Sequence, residues 1–65
     1  MNWTQIEGKW EDFQGQARTK WGKLTNQDLE QVKGRRDQLI AKLKVRYGEA
    51  QEWAEGQVDE FLAQL

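Results

Sequence analysis

Large apolar side chains recur every three or four residues in the first third of the chain, and this spacing most constrains the fold. They are Trp3, Ile6, Trp10, Phe13, Ala17 and Trp21. At about 3.6 residues per turn they share one face of a helix, and no proline interrupts it. We predict a first helix capped by Asn2 or by Thr4, with its weakest point at Gly15 and its end at Gly22.

Capping residues and glycines divide the rest of the chain into further helices. Thr25 is a hydroxyl cap with Asp28 three positions later, which is typical of a helix start. Gly34 is predicted to break or kink the chain there, so that the second and third helices are either separate or one kinked helix. Gly48 is predicted to end the third helix in a left-handed conformation. A last helix is predicted from Glu49 to the C-terminus. The pattern therefore predicts an all-α protein, a compact bundle of about four short helices arranged as two packed hairpins.

A chain of 65 residues forms one small core, so we predict a single helical domain over residues 1–65. A domain of this size buries only ~60% of the surface that its unfolded chain exposes. The four Trp residues favour folding because each large aromatic side chain buries roughly 150–250 Å². The predicted core residues are Trp3, Ile6, Trp10, Phe13, Trp21, Leu29, Val32, Leu39, Leu43, Tyr47, Ala54, Val58 and Phe61.

The composition argues against several classes of chemistry. There is no cysteine and no histidine, which leaves no disulfide, no usual zinc site and no imidazole to activate a hydroxyl. We expect the aspartates Asp28, Asp37 and Asp59 to cap helices or form ion pairs. We therefore predict no catalytic residues, no metal and no cofactor, and a protein that is not an enzyme. The mean hydropathy of −1.03 and the lack of a long apolar run favour the cytoplasm.

Charge is distributed unevenly along the second half of the chain. Residues 33–46 contain six basic side chains and one acidic one, and residues 49–60 contain five acidic side chains and no basic one. We expect these two segments to pair as neighbouring helices. Arg36 lies on the apolar stripe and is predicted to pair with a carboxylate or stack on a Trp. Arg35, Lys42 and Arg46 are the candidate interaction surface.

Two binding functions are alternatives. The basic segment 33–46 would bind nucleic acid, although a pI near 5.3 and the acidic last helix disfavour it. The aromatic stripe of the first helix would bind a membrane surface, although such a stripe in so small a protein is more often its core. Nucleic acid and membrane are therefore not the expected partners.

Four short motifs carry a resemblance to a known family. They are Ile6-Glu7-Gly8-Lys9-Trp10, Trp21-Gly22-Lys23-Leu24-Thr25, Gly34-Arg35-Arg36-Asp37-Gln38-Leu39 and the closing pair Tyr47-Gly48. With this spacing the chain resembles the CsbD-like family of small bacterial stress-response proteins from about residue 2 to residue 61. The resemblance implies a helical domain made under general, osmotic or envelope stress, in a family without a defined molecular activity.

We therefore expect a non-catalytic stress-response protein. It would act as a small interaction module with an unknown protein partner, or as a hydrophilin-like protectant with diffuse clients. A monomer is favoured.

Overall fold

Five helices joined by short turns make up the protein in a computed structural model that describes residues 1–65. They are α1 (Trp3–Gly8), α2 (Trp10–Lys20), α3 (Asn26–Val32), α4 (Arg36–Tyr47) and α5 (Gln51–Gln64). Helix α4 packs against α3 and, most extensively, against α5, while α2 packs against α1 and α3. The all-α prediction is confirmed, but there are five helices instead of four. Because α4 is shared by two neighbours, the bundle is not a simple pair of hairpins.

The extra helix comes from a break at Lys9. Its backbone angles, φ −123° and ψ 29°, are not helical, and its side chain does not cap α2. Gly15, the predicted weak point, lies inside α2, so the prediction of a break there is wrong. Tertiary contacts explain the difference, because α1 turns to bury Ile6 completely.

Both predicted cap positions are filled by reciprocal capping boxes. Asn2 accepts a hydrogen bond from the Gln5 backbone N–H, and the Gln5 side chain accepts one from the Asn2 N–H, each at 2.9 Å. Thr25 and Asp28 form the same pair at 3.0 Å in each direction. Asn2, and not Thr4, is therefore the first cap. Each box satisfies two backbone donors that would otherwise lack partners.

The predicted breaks at Gly34 and Gly48 are confirmed. Gly48 has φ 64° and closes α4, while Lys33 and Gly34 have φ 53° and 76° and turn the chain from α3 into α4. Gly34 is also pressed against α1. A Cβ atom at Gly34 would lie 2.8 Å from the Glu7 Cα and 3.2 Å from the Ile6 carbonyl oxygen. This position needs glycine for both its backbone angle and its closeness to α1.

The last helix begins two residues later than predicted. Ala50 is the extended residue before α5, so Glu49 belongs to the turn after Gly48. Ala50 makes no side-chain cap, and the acidic residue in the first turn is Glu52. The start of α5 therefore follows from the turn at Gly48 and the burial of Ala54, and has no capping signal of its own.

The core contains thirteen buried apolar residues, ten of which were predicted. Trp3, Phe13 and Tyr47 are a correction, since they are only partly buried and pack against the edge of this core. The buried residues absent from the prediction are Ala17, Leu24 and Ile40.

Each missed core residue has a local reason. Ala17 lies on the first stripe and is fully buried, although its small side chain is a weak indicator of burial. Leu24 precedes the Thr25 cap, and together with Leu29 it occupies the two positions of a hydrophobic staple. Ile40 is buried because α3 and α5 both pack on α4, which widens the apolar face of that helix.

Tryptophan side chains attach the N-terminal helices to the rest of the bundle. The Trp10 indole N–H donates a hydrogen bond of 2.7 Å to the Leu29 carbonyl oxygen and so joins α2 to α3. Trp3 stacks on Phe61 of α5, with ring centroids 6.4 Å apart. The indole Nε1 of Trp3 is buried without a hydrogen-bond partner, which weakens this attachment because a buried donor is costly to leave unpaired.

Alanine substitutions at Gly34 and Gly48, which both have positive φ, distinguish the cost of backbone strain from the cost of close packing. Gly48→Ala should lower the free energy of unfolding by about 1–2 kcal/mol, since only its φ is unfavourable for alanine. Gly34→Ala should cost roughly 1–3 kcal/mol more because its Cβ meets the α1 backbone. Urea denaturation of both variants measures the difference. Equal losses would show that the contact between Gly34 and α1 is absent.

Two other glycines should be replaceable with a gain. Gly8 and Gly15 are helical and exposed, and a Cβ at either one would meet no atom within 4 Å. Replacing both with alanine should raise the free energy of unfolding by about 1–2 kcal/mol through helix propensity. Thermal and urea unfolding measure the gain. A loss of stability would reveal a contact or backbone angle that this fold does not contain.

Candidate interaction surface

The three candidate surface residues lie at two separate places, one directly before α4 and one near its C-terminal end. Arg35 is the residue before the helix, and its Nε lies 3.6 Å from Glu7 Oε1 of α1. Lys42 and Arg46 lie one turn apart near the other end of the helix, and both reach Asp28 of α3. The structure brings Lys42 and Arg46 together and leaves Arg35 apart. All three therefore have an intramolecular carboxylate partner.

Asp28 is the one charged residue in the buried interior, with 2% of its surface exposed. Arg46 donates from Nε to Oδ2 at 2.8 Å and from Nη2 to Oδ1 at 2.9 Å, a bidentate arrangement. The Thr25 backbone N–H donates to Oδ2 at 3.0 Å, and Lys42 Nζ lies 3.5 Å from Oδ1. Both carboxylate oxygens thus have partners, as a buried charge requires.

These contacts keep the carboxylate ionised. The side-chain hydrogen bonds from Arg46, followed by that from the Thr25 backbone N–H, hold the pKa of Asp28 far below its usual range, although burial acts in the opposite direction. The side-chain hydrogen bonds between Arg46 and Asp28 also raise the pKa of Arg46. Asp28 is therefore occupied as a structural anion between α3 and α4 and is poorly suited to exchanging protons near neutral pH.

The two oppositely charged segments are neighbouring helices, as predicted, since α4 packs most extensively against α5. They form few direct ion pairs, however. Arg36 Nη2 lies 3.2 Å from Asp59 Oδ1, as the prediction of a carboxylate partner for Arg36 requires, and this is the one ion pair between α4 and α5. Glu60 pairs instead with Lys20 of α2 at 3.0 Å. Four of the six basic residues in segment 33–46 have carboxylate partners, which come from α1, α3 and α5. No ion pair is formed by Glu49 in the turn before α5 or by Glu52 and Glu55 in its first turns.

The aromatic residues considered as binding platforms make contacts within the fold. Tyr47 and Trp53 pack with ring centroids 5.3 Å apart, and Lys23 Nζ lies 5.1 Å from the Tyr47 ring centroid. Trp21 is 1% exposed, and its indole N–H donates to Gln57 Oε1 at 3.0 Å. The aromatic stripe therefore lies in or against the core.

Two grooves indent the surface, and neither contains Asp28. The larger, of about 430 Å³, lies between α2 and the end of α5 and is lined by Gln16, Thr19, Lys20, Phe61, Gln64 and Leu65. The smaller, of about 360 Å³, follows residues 7–12 at the junction of α1 and α2. No three acidic side chains converge where they would hold a metal ion. None of the five helices has the length and apolar character needed to cross a lipid bilayer.

The motifs that carry the family resemblance coincide with the positions on which this geometry depends. Gly34 makes the close approach to α1, Gly48 ends α4, and Thr25 caps α3. The sequence profile described as CsbD-like matches residues 4–60. The chain belongs to the CsbD-like family.

Relatives of this CsbD-like protein are similar over nearly their whole length. A UPF0337 protein of Pectobacterium atrosepticum is 47% identical over 58 residues, covering 89% of this chain and 84% of the relative. One from Rhodopseudomonas palustris is 46% identical over 65 residues, covering 100% and 98%. The UPF0337 protein YjbJ of Escherichia coli K12 is 41% identical over 58 residues, covering 89% and 84%. No solved structure matches the chain.

Acid should weaken the fold through Asp28. Its pKa is lowered on folding from about 3.9 in an unfolded chain, so its stabilising effect is fully present above that value and is lost as the pH falls towards the folded-state value. Asp28→Asn removes charged hydrogen bonds but leaves Arg46 exposed to water, so it should lower the free energy of unfolding at pH 7 by about 1.5–3 kcal/mol. It should show a smaller further loss in acid.

Urea denaturation from pH 7 to pH 2 measures both effects. Asp37→Asn is the matched control, because Asp37 is an exposed carboxylate in the first turn of α4 without an ion pair. If wild type and Asp28→Asn lost stability in parallel over the whole range, Asp28 would not be the titrating group.

Proposed function

We propose that this CsbD-like protein is a non-catalytic bacterial stress-response protein that protects other macromolecules in the cytoplasm when water is scarce. The observation that carries the proposal is an acidic surface without ion pairs, formed by Glu49 in the turn before α5 and by Glu52 and the half-buried Glu55 in its first turns. Four of the eleven acidic side chains form ion pairs, compared with five of the ten basic ones. Seven acidic and five basic side chains are therefore left without an ion pair, an acidic excess of two charges.

Free carboxylates suit a protectant because added Asp and Glu increase protein solubility more than added Lys and Arg do. A hydrated acidic helix that covers part of another protein's surface would keep that protein from aggregating. A nucleic-acid function would need several free cations in segment 33–46, whereas Arg35, Arg36, Lys42 and Arg46 each have a carboxylate partner within 4 Å. Only Lys33 and Lys44 form no ion pair there, and Lys44 Nζ donates a hydrogen bond of 3.0 Å to Gln51 Oε1. The charge arrangement therefore favours protein clients over phosphate.

Freeze–thaw inactivation of lactate dehydrogenase tests the proposal. Wild type should preserve enzyme activity in a dose-dependent manner, and the variant Glu49→Gln/Glu52→Gln/Glu55→Gln should preserve substantially less. The matched control is Glu11→Gln/Asp12→Asn/Glu30→Gln, which removes the same charge from α2 and α3 and should protect better than the α5 variant. Equal protection by wild type and the α5 variant would overturn the proposal.

A second candidate, an interaction module with one protein partner, is favoured by an apolar spot on the outer face of α4. Val45 is 74% exposed, and Ala41, one turn earlier, is exposed beside it. Crosslinking and pull-down from osmotically stressed cells distinguish the candidates. One stoichiometric protein that is lost with Val45→Glu would establish the module, whereas a diffuse set of clients unaffected by Val45→Glu supports the protectant.

A further inference from the structure

The junction between α1 and α2 is broken although no capping side chain marks it. Gly8, the last residue of α1, is the one local residue that weakens a helix there. The apolar positions from Trp3 to Trp21 follow a single helical stripe straight through Lys9. Lys9 is the N-cap residue of α2, but its side chain makes no capping hydrogen bond, whereas Asn2 and Thr25 both form complete capping boxes. The local sequence therefore favours one continuous helix over residues 3–20, and tertiary packing imposes the break.

The break is imposed by the packing of α1 on a small site around Gly34 and Phe61, which we call the α1 seat. Ile6 is fully buried, the backbone at Glu7 lies against Gly34, and Trp3 stacks on Phe61. Helix α1 has six residues, fewer than the roughly 12–15 that an isolated helix needs in water. It is therefore helical only in its seat or as an extension of α2.

The attachment of α1 to this seat is imperfect. The buried Trp3 indole N–H has no acceptor, and the Glu7–Arg35 ion pair is exposed, with N and O atoms 3.6 Å apart. Exposed pairs of this kind contribute little. Release of α1 thus sacrifices few strong polar contacts, while α2 gains a continuation through Lys9.

From these observations we infer that a second copy of this chain is a binding partner, and that two copies exchange α1. In the exchanged dimer α1 and α2 form one straight helix, and the α1 segment of each chain occupies the seat on the other. Every contact of the seat is recreated between chains because the exchanged segment is identical, and this makes swapping a low-cost route to a dimer. The monomer with α1 folded back is favoured when the protein is dilute. The inference is independent of the proposed protectant function.

Helix propensity at residue 9 tests the hinge. Lys9→Gly disfavours a straight helix through the junction, while Lys9→Ala removes the same charge and suits a straight helix. Glycine costs about 1 kcal/mol relative to alanine inside a helix, roughly a factor of five at each of the two hinges in a dimer. The dissociation constant of Lys9→Gly should therefore be at least about tenfold larger than that of Lys9→Ala. Sedimentation equilibrium up to millimolar protein measures both constants.

Crosslinking between chains tests where α1 binds, and the absence of cysteine in the chain makes single-cysteine variants clean. Glu7→Cys and Arg35→Cys protein are mixed at high concentration, equilibrated, diluted and treated with a short bismaleimide. The control mixture pairs Glu7→Cys with Val45→Cys, which places the second thiol ten residues beyond Arg35, about 15 Å along α4.

The mixed product of the first pair should exceed the control several-fold and should fall when Lys9→Gly is added to both chains. The inference is overturned if wild type and Lys9→Ala both stay monomeric at millimolar concentration. It is also overturned if they dimerise while the yield from Glu7→Cys with Arg35→Cys equals the control, because dimerisation would then use another surface.

Discussion

The ionised carboxylate of Asp28 is the interaction on which the middle of the structure depends. It belongs to the capping box that starts α3, and it receives the bidentate Arg46 from the last turn of α4. Helix α3 has only seven residues and would not be stable alone. The carboxylate therefore fixes where α3 begins and how it lies on α4. Because α4 also carries the largest contact with α5, the position of the C-terminal helix depends indirectly on the same group.

This arrangement gives the basic segment 33–46 a structural role within the fold. As a sequence, residues 33–46 have the charge of a phosphate-binding segment. In the fold four of the six basic side chains hold this segment to its neighbours through Glu7, Asp28 and Asp59, which come from α1, α3 and α5. The side chains left without an ion pair carry a small acidic excess, in keeping with the pI near 5.3.

Features encoded within a few neighbouring residues could be predicted from the sequence. The cap at Thr25 with Asp28, the break at Gly34 and the stop at Gly48 each depend on local backbone chemistry. Most of the core followed from helical periodicity, because a helix buries one stripe. The partly buried Tyr47 shows the limit of this rule, since a stripe that reaches the end of a helix is covered less completely.

Features that depend on residues distant in sequence could not be predicted. The break at Lys9 accompanies the packing of α1 on Gly34, which lies far along the chain and allows the close approach because it has no side chain. The burial of Asp28 comes from Arg46, eighteen residues later. A signal for this pair did exist, because Lys42 and Arg46 have the four-residue spacing that places two cations on one face of a helix. Their partner could not be identified without the packing of α3 on α4.

The most direct test of this structural role is a comparison of two double-mutant cycles. One cycle combines Asp28→Asn with Arg46→Gln, which breaks a bidentate pair whose carboxylate is buried. The other combines Asp59→Asn with Arg36→Gln, which breaks a single-contact pair whose carboxylate is exposed. Exposed pairs typically have coupling energies of about 0.2–1 kcal/mol. We predict a clearly larger coupling free energy for Asp28 with Arg46, measured by urea denaturation at neutral pH. Equal coupling in the two cycles would contradict the central role of Asp28.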